Sequence, residues 1–423
     1  MDTHAPNAAA ADAYSIPLDR IDVSSPLLFQ EDSWGPYFER LRREDPVHYF
    51  KNDLYGGFWS VTKYKDILAV DTNHQAFSSD AYLGGITIRD VEKEFVRPSF
   101  IAMDPPRHDE QRKVVSPIVA PLNLAKFAGI IRERIGTILD DLPRDQPFDW
   151  VDRVAVELTA QMLATLFDFP FEQRRKLIYW SNIATMDKNA GGEIDSEETR
   201  NVILMQCLAE FTELWNERVN AEPQSDLISM LAHGEATKNM TPREFLGNII
   251  LLIVGGNDTT RNSITGGLHA LSQNPDEYRK LRQNPALISS MVPEIIRWQS
   301  PIVHMRRTAL VDIELGGKQI KKGDKVIMWY LSGNRDEEVI ENANRFIIDR
   351  PRARQHLAFG FGIHRCVGNR LAEMQLSIMW EEILKRFPAI EVVSEPKRIY
   401  SNFIHGIESM MVRIPTRKAT PAD

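Results

Sequence analysis

One predicted helix constrains the fold of this chain more than any other feature of its sequence. Thr241, Pro242 and Glu244 form a capping box with proline at the first helical position, and Asn274 with Pro275 ends the helical pattern. At a rise of about 1.5 Å per residue the helix would extend over about 48 Å, enough to cross an entire domain. Because such a helix has to be packed along its whole length, it predicts a large and mainly helical fold.

The centre of this helix contains residues that helices disfavour. Gly255 and Gly256 each cost roughly 1 kcal/mol relative to alanine, and Asp258, Thr259 and Thr260 compete for backbone hydrogen bonds. One interpretation is a close contact between helices that only glycine permits. The other is a helix opened beside a bound ligand, with an acid and a hydroxyl directed into the opening. The residues alone leave both interpretations open.

Other periodic patterns along the chain are also mostly helical. Hydrophobic spacing predicts helices over 122–142, 151–167, 171–185 and 197–220. The polar segment 187–195, which separates two of them, is a candidate lid. The chain therefore belongs to the mainly α class.

Two regions show the alternation that is typical of β-strands. Residues 45–62 contain two such stretches around a glycine pair, which predicts a hairpin. Residues 311–315 also alternate, are followed by a turn at Gly316 and Gly317, and lead into a second stretch at 326–328. We expect a few small sheets beside the helices.

No linker or repeat divides the 423 residues, although the length alone is compatible with two or three domains. We expect a partly ordered arm over residues 1–30, a single domain over 31–415 and a tail over 416–423.

Charge and hydropathy argue against several classes of partner. With 51 basic and 59 acidic residues the formal net charge is −8, which argues against nucleic acid. Residues 1–20 lack the basic and apolar segments of a signal peptide. The apolar run at 249–254 is far shorter than the roughly 20 residues that span a bilayer. We expect a soluble, cytoplasmic protein with no membrane anchor.

The two cysteines differ in their surroundings. One disulfide is the maximum, and neither a zinc ribbon nor a cysteine-ligated iron–sulfur cluster can form. Cys207 lies in an apolar helical pattern, which predicts a small core residue. Cys366 lies in a glycine-rich segment just before an apolar helical stripe, where the helix N-terminus favours a thiolate. The residues leave open a nucleophile with His364 as its base, a metal ligand or an inert thiol.

Five segments resemble, in order and spacing, the characteristic motifs of the cytochromes P450. The similarity extends over about residues 35–414, and the last segment has the form F-x-x-G-x-H-R-C-x-G of that family's haem-binding loop. The five segments are 105–112, 255–259, 294–297, 345–346 and 359–368.

A finer similarity points to one branch of that family. Residues 103–109, 255–263, 304–310 and 328–336 are similar to the bacterial branch that hydroxylates medium-chain alkanes and fatty acids at the terminal carbon. The resemblance implies the cytochrome P450 fold, a triangular prism of helices with small β-sheets that encloses a haem.

The cofactor implied by the resemblance is haem b, iron protoporphyrin IX. Cys366 would be the axial ligand of the haem iron, and Gly362 and Gly368 would bring backbone amides to its sulfur. Arg306 is the alternative to its neighbour Arg307. The residues implied to bind the cofactor are His108, Arg112, Arg307, Phe359, His364, Cys366 and Gly368.

Two further groups follow from the resemblance. Asp258 and Thr259 would be catalytic, because reduction of O₂ in a dry pocket consumes protons that a carboxylate and a hydroxyl can deliver. Glu294, Arg297 and Arg345 would form a buried charged network that holds the cysteine loop, with Arg350 as the alternative to Arg345.

The residues implied to contact substrate are apolar, which suits an unfunctionalised chain. Ile88 is a further contributor from the early loop. The predicted contacts are Ile86, Leu251, Val254, Gly255, Ile302, Val303, Phe403 and Ile404.

The implied activity is a monooxygenase reaction with O₂ and two electrons from an NAD(P)H-dependent ferredoxin reductase and ferredoxin. Only 36 residues follow Phe387, too few for a reductase domain. Six arginines against one acid, Asp349, between Arg345 and Arg370 form a basic patch suited to an acidic ferredoxin.

Three alternatives to this activity stay open. The substrate of the same chemistry would be another hydrophobic molecule, such as a terpene or an aromatic. The chain would otherwise be a non-catalytic haem protein that senses gas or binds lipid, which Asp258 and Thr259 argue against. A cysteine hydrolase is disfavoured because no triad partner is evident.

Overall fold

The computed structural model describes residues 8–416 of the chain. The first seven residues of the predicted arm, and the predicted tail apart from Thr416, lie outside the described residues. The segment from residue 12 onwards packs on the body: the Tyr37 hydroxyl donates to Asp12 over 2.6 Å, and Arg40 donates to the Ala13 and Ile16 carbonyls.

Helices account for most of the described chain, as the periodicity predicts. Residues 151–156 form a π-helical segment that leads into α7. The α-helices are α1 (Ala8–Ser15), α2 (Pro26–Gln30), α3 (Gly35–Glu44), α4 (Tyr64–Thr72), α5 (Arg107–Val115), α6 (Pro121–Asp140), α7 (Glu157–Phe167), α8 (Arg175–Thr185), α9 (Glu197–Val219), α10 (Leu227–His233), α11 (Pro242–Gln273), α12 (Pro275–Gln283), α13 (Ile288–Gln299), α14 (Tyr330–Gly333) and α15 (Asn369–Arg386).

The strands within residues 8–416 are short and form four small sheets. They are β1 (Val47–Asn52), β2 (Gly56–Val61), β3 (Phe77–Ser78), β4 (Phe148–Asp149), β5 (Met305–Ala309), β6 (Ile313–Leu315), β7 (Lys318–Ile320), β8 (Lys325–Met328), β9 (Glu391–Val392), β10 (Lys397–Arg398), β11 (Ile407–Ser409) and β12 (Met411–Arg413).

The largest sheet has the strand order β1-β2-β8-β5-β3, in which only β2 and β8 are parallel. The predicted hairpin is its β1–β2 pair, with Val47 opposite Val61. The predicted turn between β6 and β7 is also confirmed. Gly316 and Gly317 both have positive φ there, at 56° and 75°, which residues with a side chain rarely adopt.

The long helix α11 begins and ends where the sequence predicts, and the Thr241 hydroxyl caps it by accepting the Glu244 amide. It packs against α7, α8, α9, α13 and α15. The helix is uninterrupted, so the opening considered for its centre is not present as a break. A Cβ at Gly256 would lie 2.8 Å from Leu163, whereas one at Gly255 would meet nothing within 4 Å. Gly256 therefore permits a close contact between α11 and α7, whereas Gly255 faces open space.

The core divides into a large helical cluster and two smaller clusters around the main sheet. Cys207 lies fully buried in the helical cluster, as predicted. Within residues 8–416 no single helix is both long and apolar enough to cross a membrane. The segments 107–119 and 121–140, bent by 48°, reach that length and composition only as a pair.

Candidate active site

The cysteine loop is a tight backbone structure that leads into α15. Gly360 and Gly362 have positive φ values of 64° and 63°. The Cys366 amide donates to the carbonyl oxygen of Phe359 over 2.8 Å, which closes the loop, and Gly368 caps α15. A Cβ at Gly362 would lie 2.5 Å from the Asp71 carbonyl oxygen. Gly362 therefore permits close packing on α4, a role different from the one expected beside the sulfur.

Two sets of influences on the pKa of the Cys366 thiol oppose each other. Its side chain is accessible, yet protein surrounds it closely enough that desolvation raises the pKa of the thiol. Backbone hydrogen bonds from Gly368 and Asn369, and the charges of Arg112 and Arg365, act in the opposite direction and lower this pKa. The same donors and charges would stabilise a thiolate.

Asp71, which the sequence analysis missed, connects this loop to the sheet and to α4. One carboxylate oxygen accepts Arg307 Nη2 over 2.8 Å, and the other accepts the Tyr330 hydroxyl and the Phe361 amide. Burial beside the Asp71 charge raises the pKa of Tyr330 well above its ordinary value. A usable signal existed, because Asp71 is one turn after the buried Ile67 and thus on the apolar face of its helix.

Buried His108 lies beside half-buried His364 of the cysteine loop, with ring centroids 4.4 Å apart. His108 Nδ1 bonds Asp109 and His364 Nε2 bonds the Ser79 hydroxyl, both over 2.8 Å. Their other ring nitrogens, His108 Nε2 and His364 Nδ1, are buried and have no partner among the described residues. Burial lowers the pKa of both, that of His364 to about 2.

Three arginines, Arg112, Arg306 and Arg307, are candidates for the position beside this histidine pair. Arg112 donates to the carbonyl oxygen of Arg365, and Cys366 lies close enough to influence the pKa of Arg112, which burial lowers. The charge of Arg307 helps to lower the pKa of His364. Arg306, the alternative to Arg307, bonds Asp90 over 2.5 Å on the opposite side. The geometry therefore favours Arg307.

A buried charged network lies behind the loop. The Glu294 carboxylate accepts Arg297 Nε and Nη2 over 2.7 and 2.8 Å, and Arg350 Nε over 2.9 Å. The prediction of Arg345 as the third side chain is wrong. Arg345 is exposed and contributes only its carbonyl oxygen, which accepts from Arg297 and Arg350. The alternative, Arg350, is the buried member.

Asn334 connects this network to the cysteine loop. Its carbonyl oxygen accepts Arg297 Nη1 over 2.7 Å, and its side-chain oxygen accepts the Leu357 amide over 2.6 Å. Leu357 lies just before the loop. The chain of bonds therefore runs from α13 to the segment that carries the cysteine.

The structure separates the two predicted catalytic residues. The Thr259 hydroxyl donates to the Gly255 carbonyl oxygen over 2.8 Å, on the open side of α11. Asp258 is fully buried and accepts Arg261 Nη2 over 2.5 Å and the Ser181 hydroxyl of α8 over 2.8 Å. The i, i+3 pairing of Asp258 and Arg261 was readable from the sequence, whereas the contact with Ser181 depends on how α8 packs.

The predicted substrate residues are brought together only in part. Leu251, Val254 and Gly255 lie partly accessible on one stretch of α11. An isolated β-bridge pairs Ile302 with Ile404, and both belong to one core cluster with Phe403 packed against it. Half-buried Ile86 accepts the Arg306 amide through its carbonyl oxygen.

Val303 does not fit the predicted set of substrate contacts. It is completely buried in a different cluster, together with Ile88 and Trp329. Successive side chains of an extended segment point to opposite sides, so Ile302 and Val303 cannot line the same surface. Ile88, offered as a further contributor, lies on the same buried side as Val303.

Comparisons with known proteins indicate one family. A family model described as Cytochrome P450 matches residues 179–412. Linalool 8-monooxygenase of Pseudomonas putida is 37% identical over 93% of this chain and 99% of that protein. Methyl-branched lipid omega-hydroxylase of Mycobacterium tuberculosis is 33% identical over 89% and 90%. The structure of cytochrome P450-153 from Novosphingobium aromaticivorans matches with a TM-score of 0.87 at 44% identity, covering 93% of this chain and 99% of that one.

The residues present fit the haem that proteins of this family bind. Buried polar atoms without partners are rare, and the two free ring nitrogens lie beside Arg112 and Arg307, a donor set suited to the carboxylates of protoporphyrin IX. An accessible Cys366 with amide donors on its sulfur suits an iron ligand. The chain therefore belongs to the cytochrome P450 family, and it is a haem-thiolate monooxygenase.

Proposed function

We propose that this monooxygenase hydroxylates the terminal carbon of medium-chain alkanes or fatty acids. The observation that carries the proposal is the apolar character of the partly accessible Leu251 and Val254 on α11 and of half-buried Phe403, which packs against buried Ile302 and Ile404. None of them offers a charge to hold a polar group, so a bare hydrocarbon chain fits them best. The omega-hydroxylase among the relatives supports attack at a chain end.

The proposed mechanism assigns separate tasks to the residues of the chain. When bound, haem would supply the O₂ chemistry of a monooxygenase, in which one oxygen atom is inserted into a C–H bond and the other becomes water with two electrons and two protons. Cys366 would hold the iron, and His108, His364, Arg112 and Arg307 would bind the propionates. The apolar side chains exclude water and admit the end of the substrate.

Proton delivery is the proposed task of α11. The Thr259 hydroxyl holds a proton at Oγ1 on the open side of the helix, where Gly255 leaves room. The Asp258 carboxylate is held by Arg261 of its own helix and by Ser181 of α8, so its position depends on the packing of α8 against α11.

Regiochemistry tests the proposed function directly. The holoenzyme, supplied with a ferredoxin, its reductase and NAD(P)H, is incubated with octane and with dodecanoic acid. We expect 1-octanol from octane and the terminal hydroxy acid from the acid as main products. Predominance of 2-octanol and of subterminal hydroxy acids would contradict the proposal.

A terpene is the second candidate substrate. It is favoured by the identity of 37% with linalool 8-monooxygenase over nearly the whole length of both chains. Linalool is therefore included in the same assay at equal concentration. A kcat/KM for linalool higher than for either straight chain would replace the first proposal with this one.

The Thr259→Ala variant tests the proton path. We expect it to bind haem normally but to release peroxide, with product per NAD(P)H oxidised falling by roughly tenfold or more. The matched control is Thr259→Ser, which keeps the hydroxyl and is expected to stay near the wild-type ratio. Equal ratios in wild type and Thr259→Ala would contradict the role.

Bacterial proteins of this type take electrons from redox partners, and we propose a ferredoxin that docks beside Cys366. The structure reduces the basic patch, because Arg350 is buried on Glu294 and Arg354 pairs with Glu373. Among the described residues no ion pair involves the other patch arginines, which are Arg345, Arg352, Arg365 and Arg370. The predicted cytoplasmic location stays a prediction.

Charge reversal tests this docking face. We expect the double variant Arg352→Glu, Arg370→Glu to raise the KM for an acidic ferredoxin by about tenfold at low salt, with less effect at high salt. Arg20→Glu, an exposed arginine of the N-terminal segment, is the matched control. Equal effects of the double variant and the control would contradict the face.

A further inference from the structure

His304 lies where three segments that carry predicted substrate residues meet. It is completely buried, and neither the haem site nor the proton path explains it. Its Nδ1 lies 2.7 Å from the carbonyl oxygen of Asn402, just before Phe403. Its Nε2 lies 3.1 Å from the backbone nitrogen of Ile88, two residues after Ile86. One imidazole ring thus joins the early loop, the start of β5 and the last loop.

The two partners determine the protonation of the ring. A carbonyl oxygen can only accept, so Nδ1 of His304 carries the proton. A backbone N–H can only donate, so Nε2 accepts from Ile88 and carries none. Burial, the largest influence, lowers the pKa of His304 to about 4, in agreement with a neutral ring at neutral pH. A protonated ring would also carry a hydrogen on Nε2, and this N–H would point at the backbone N–H of Ile88.

Both partners of the ring are themselves held in place. The Asn402 side chain donates to the Ser24 carbonyl oxygen over 2.7 Å and to the Tyr55 hydroxyl over 3.0 Å. The Ile88 carbonyl oxygen accepts Lys325 Nζ over 2.9 Å. His304 therefore connects two anchored segments and transmits the position of one to the other.

The same region holds apolar side chains that are predicted to contact substrate. The Val303 amide donates to the Phe403 carbonyl oxygen over 2.9 Å, and Ile302 forms the β-bridge with Ile404. The Ile86 carbonyl oxygen accepts the Arg306 amide over 2.8 Å. A change at His304 would therefore alter the separation of Ile86 from Phe403.

We propose that His304 is a positioning residue for regiochemistry, because its neutral imidazole fixes the separation of the early loop, the start of β5 and the last loop. This separation sets the width through which the end of a hydrocarbon chain approaches the cofactor. The inference rests on the proposed terminal hydroxylation. Like that proposal, it concerns which carbon reacts, but it names the group that makes the distinction.

Three substitutions separate the two hydrogen bonds. His304→Asn places an amide nitrogen near Nδ1 and keeps the bond to Asn402 while losing that to Ile88. His304→Gln places an amide oxygen near Nε2 and keeps only the bond to Ile88. His304→Phe keeps a ring against Trp329 and Phe403 but loses both bonds. His48→Phe is the control for a buried histidine that bonds Asp45 and Ile21 elsewhere.

Hydrogen exchange of the holoprotein and product analysis are the two measurements. We expect faster exchange in peptides over 86–90 for His304→Asn, over 402–406 for His304→Gln, and over both for His304→Phe. We expect the ratio of terminal to subterminal product to fall roughly two- to tenfold in His304→Phe, which corresponds to the free energy of one or more hydrogen bonds. The ratio should fall less in His304→Asn and His304→Gln, because each keeps one of the two bonds.

Two outcomes would overturn the inference: an unchanged product ratio in His304→Phe, or an equal change in His48→Phe, which would indicate a merely structural effect. Failure of the proposed function looks different, because the wild-type enzyme itself would then make little terminal product. In that case the product ratio is measured on the substrate that the enzyme accepts, and the exchange pattern tests His304 as before.

Discussion

The Cys366→Ala variant is expected to lose the red-shifted Soret band of the reduced, CO-bound protein, and its monooxygenase activity is expected to fall to background. That band reports thiolate ligation of the iron, and alanine offers no donor atom. Cys366 is the accessible one of the two cysteines; two backbone amides bond its sulfur, and the charges of Arg112 and Arg365 lower the pKa of its thiol. Absorbance spectra and product analysis provide the measurement.

Cys207→Ala is the matched control for this experiment. Cys207 is fully buried in the helical core, and burial raises the pKa of its thiol well above the ordinary value. We expect this variant to keep the band and the activity and to lose only about 1 kcal/mol of stability. A Cys366→Ala protein that keeps the band would refute the ligand assignment.

The second large effect concerns stability. We expect Arg350→Ala to lower the free energy of unfolding by about 3 kcal/mol, because it leaves the fully buried Glu294 short of one of its two arginine partners. Because Asn334 connects the network to the cysteine loop, the thiolate band should also weaken before the helices unfold. Urea unfolding of the holoprotein, followed by circular dichroism and by absorbance, measures both.

Arg345→Ala is the control for the same residue type five positions earlier. Arg345 is exposed and acts only through its carbonyl oxygen, so its loss should change stability by no more than about 0.5 kcal/mol. Arg350→Lys keeps the charge and should fall between the two. An Arg345→Ala variant as unstable as Arg350→Ala would contradict the arrangement of the network.

The parts of the site that were predictable from the sequence are local in the chain. The cysteine loop and α11 depend on residues close together in sequence, so glycine positions, caps and spacing were sufficient. The choice between Arg345 and Arg350 was different, because it depends on the path of an irregular segment around Glu294. No periodicity records which of two arginines turns inward there.

The same reasoning explains the error at Val303 and the omission of Asp71. In an extended segment the alternation of sides is predictable, but which side faces the core depends on distant residues such as Trp329. Asp71 receives partners from three separate parts of the chain, and only the fold brings them together. Contacts between distant segments are thus where sequence reasoning ended.

The two central glycines of α11 have different consequences for engineering. At position 256 an added methyl group would lie 2.8 Å from the end of the Leu163 side chain, which would have to shift. At position 255 alanine would improve helix propensity by about 1 kcal/mol and would collide with nothing. If Gly255 faces the substrate as proposed, that methyl group would reduce the volume available to the substrate. A single methyl group at position 255 would therefore raise the thermal stability of the protein and narrow the range of substrates that it accepts.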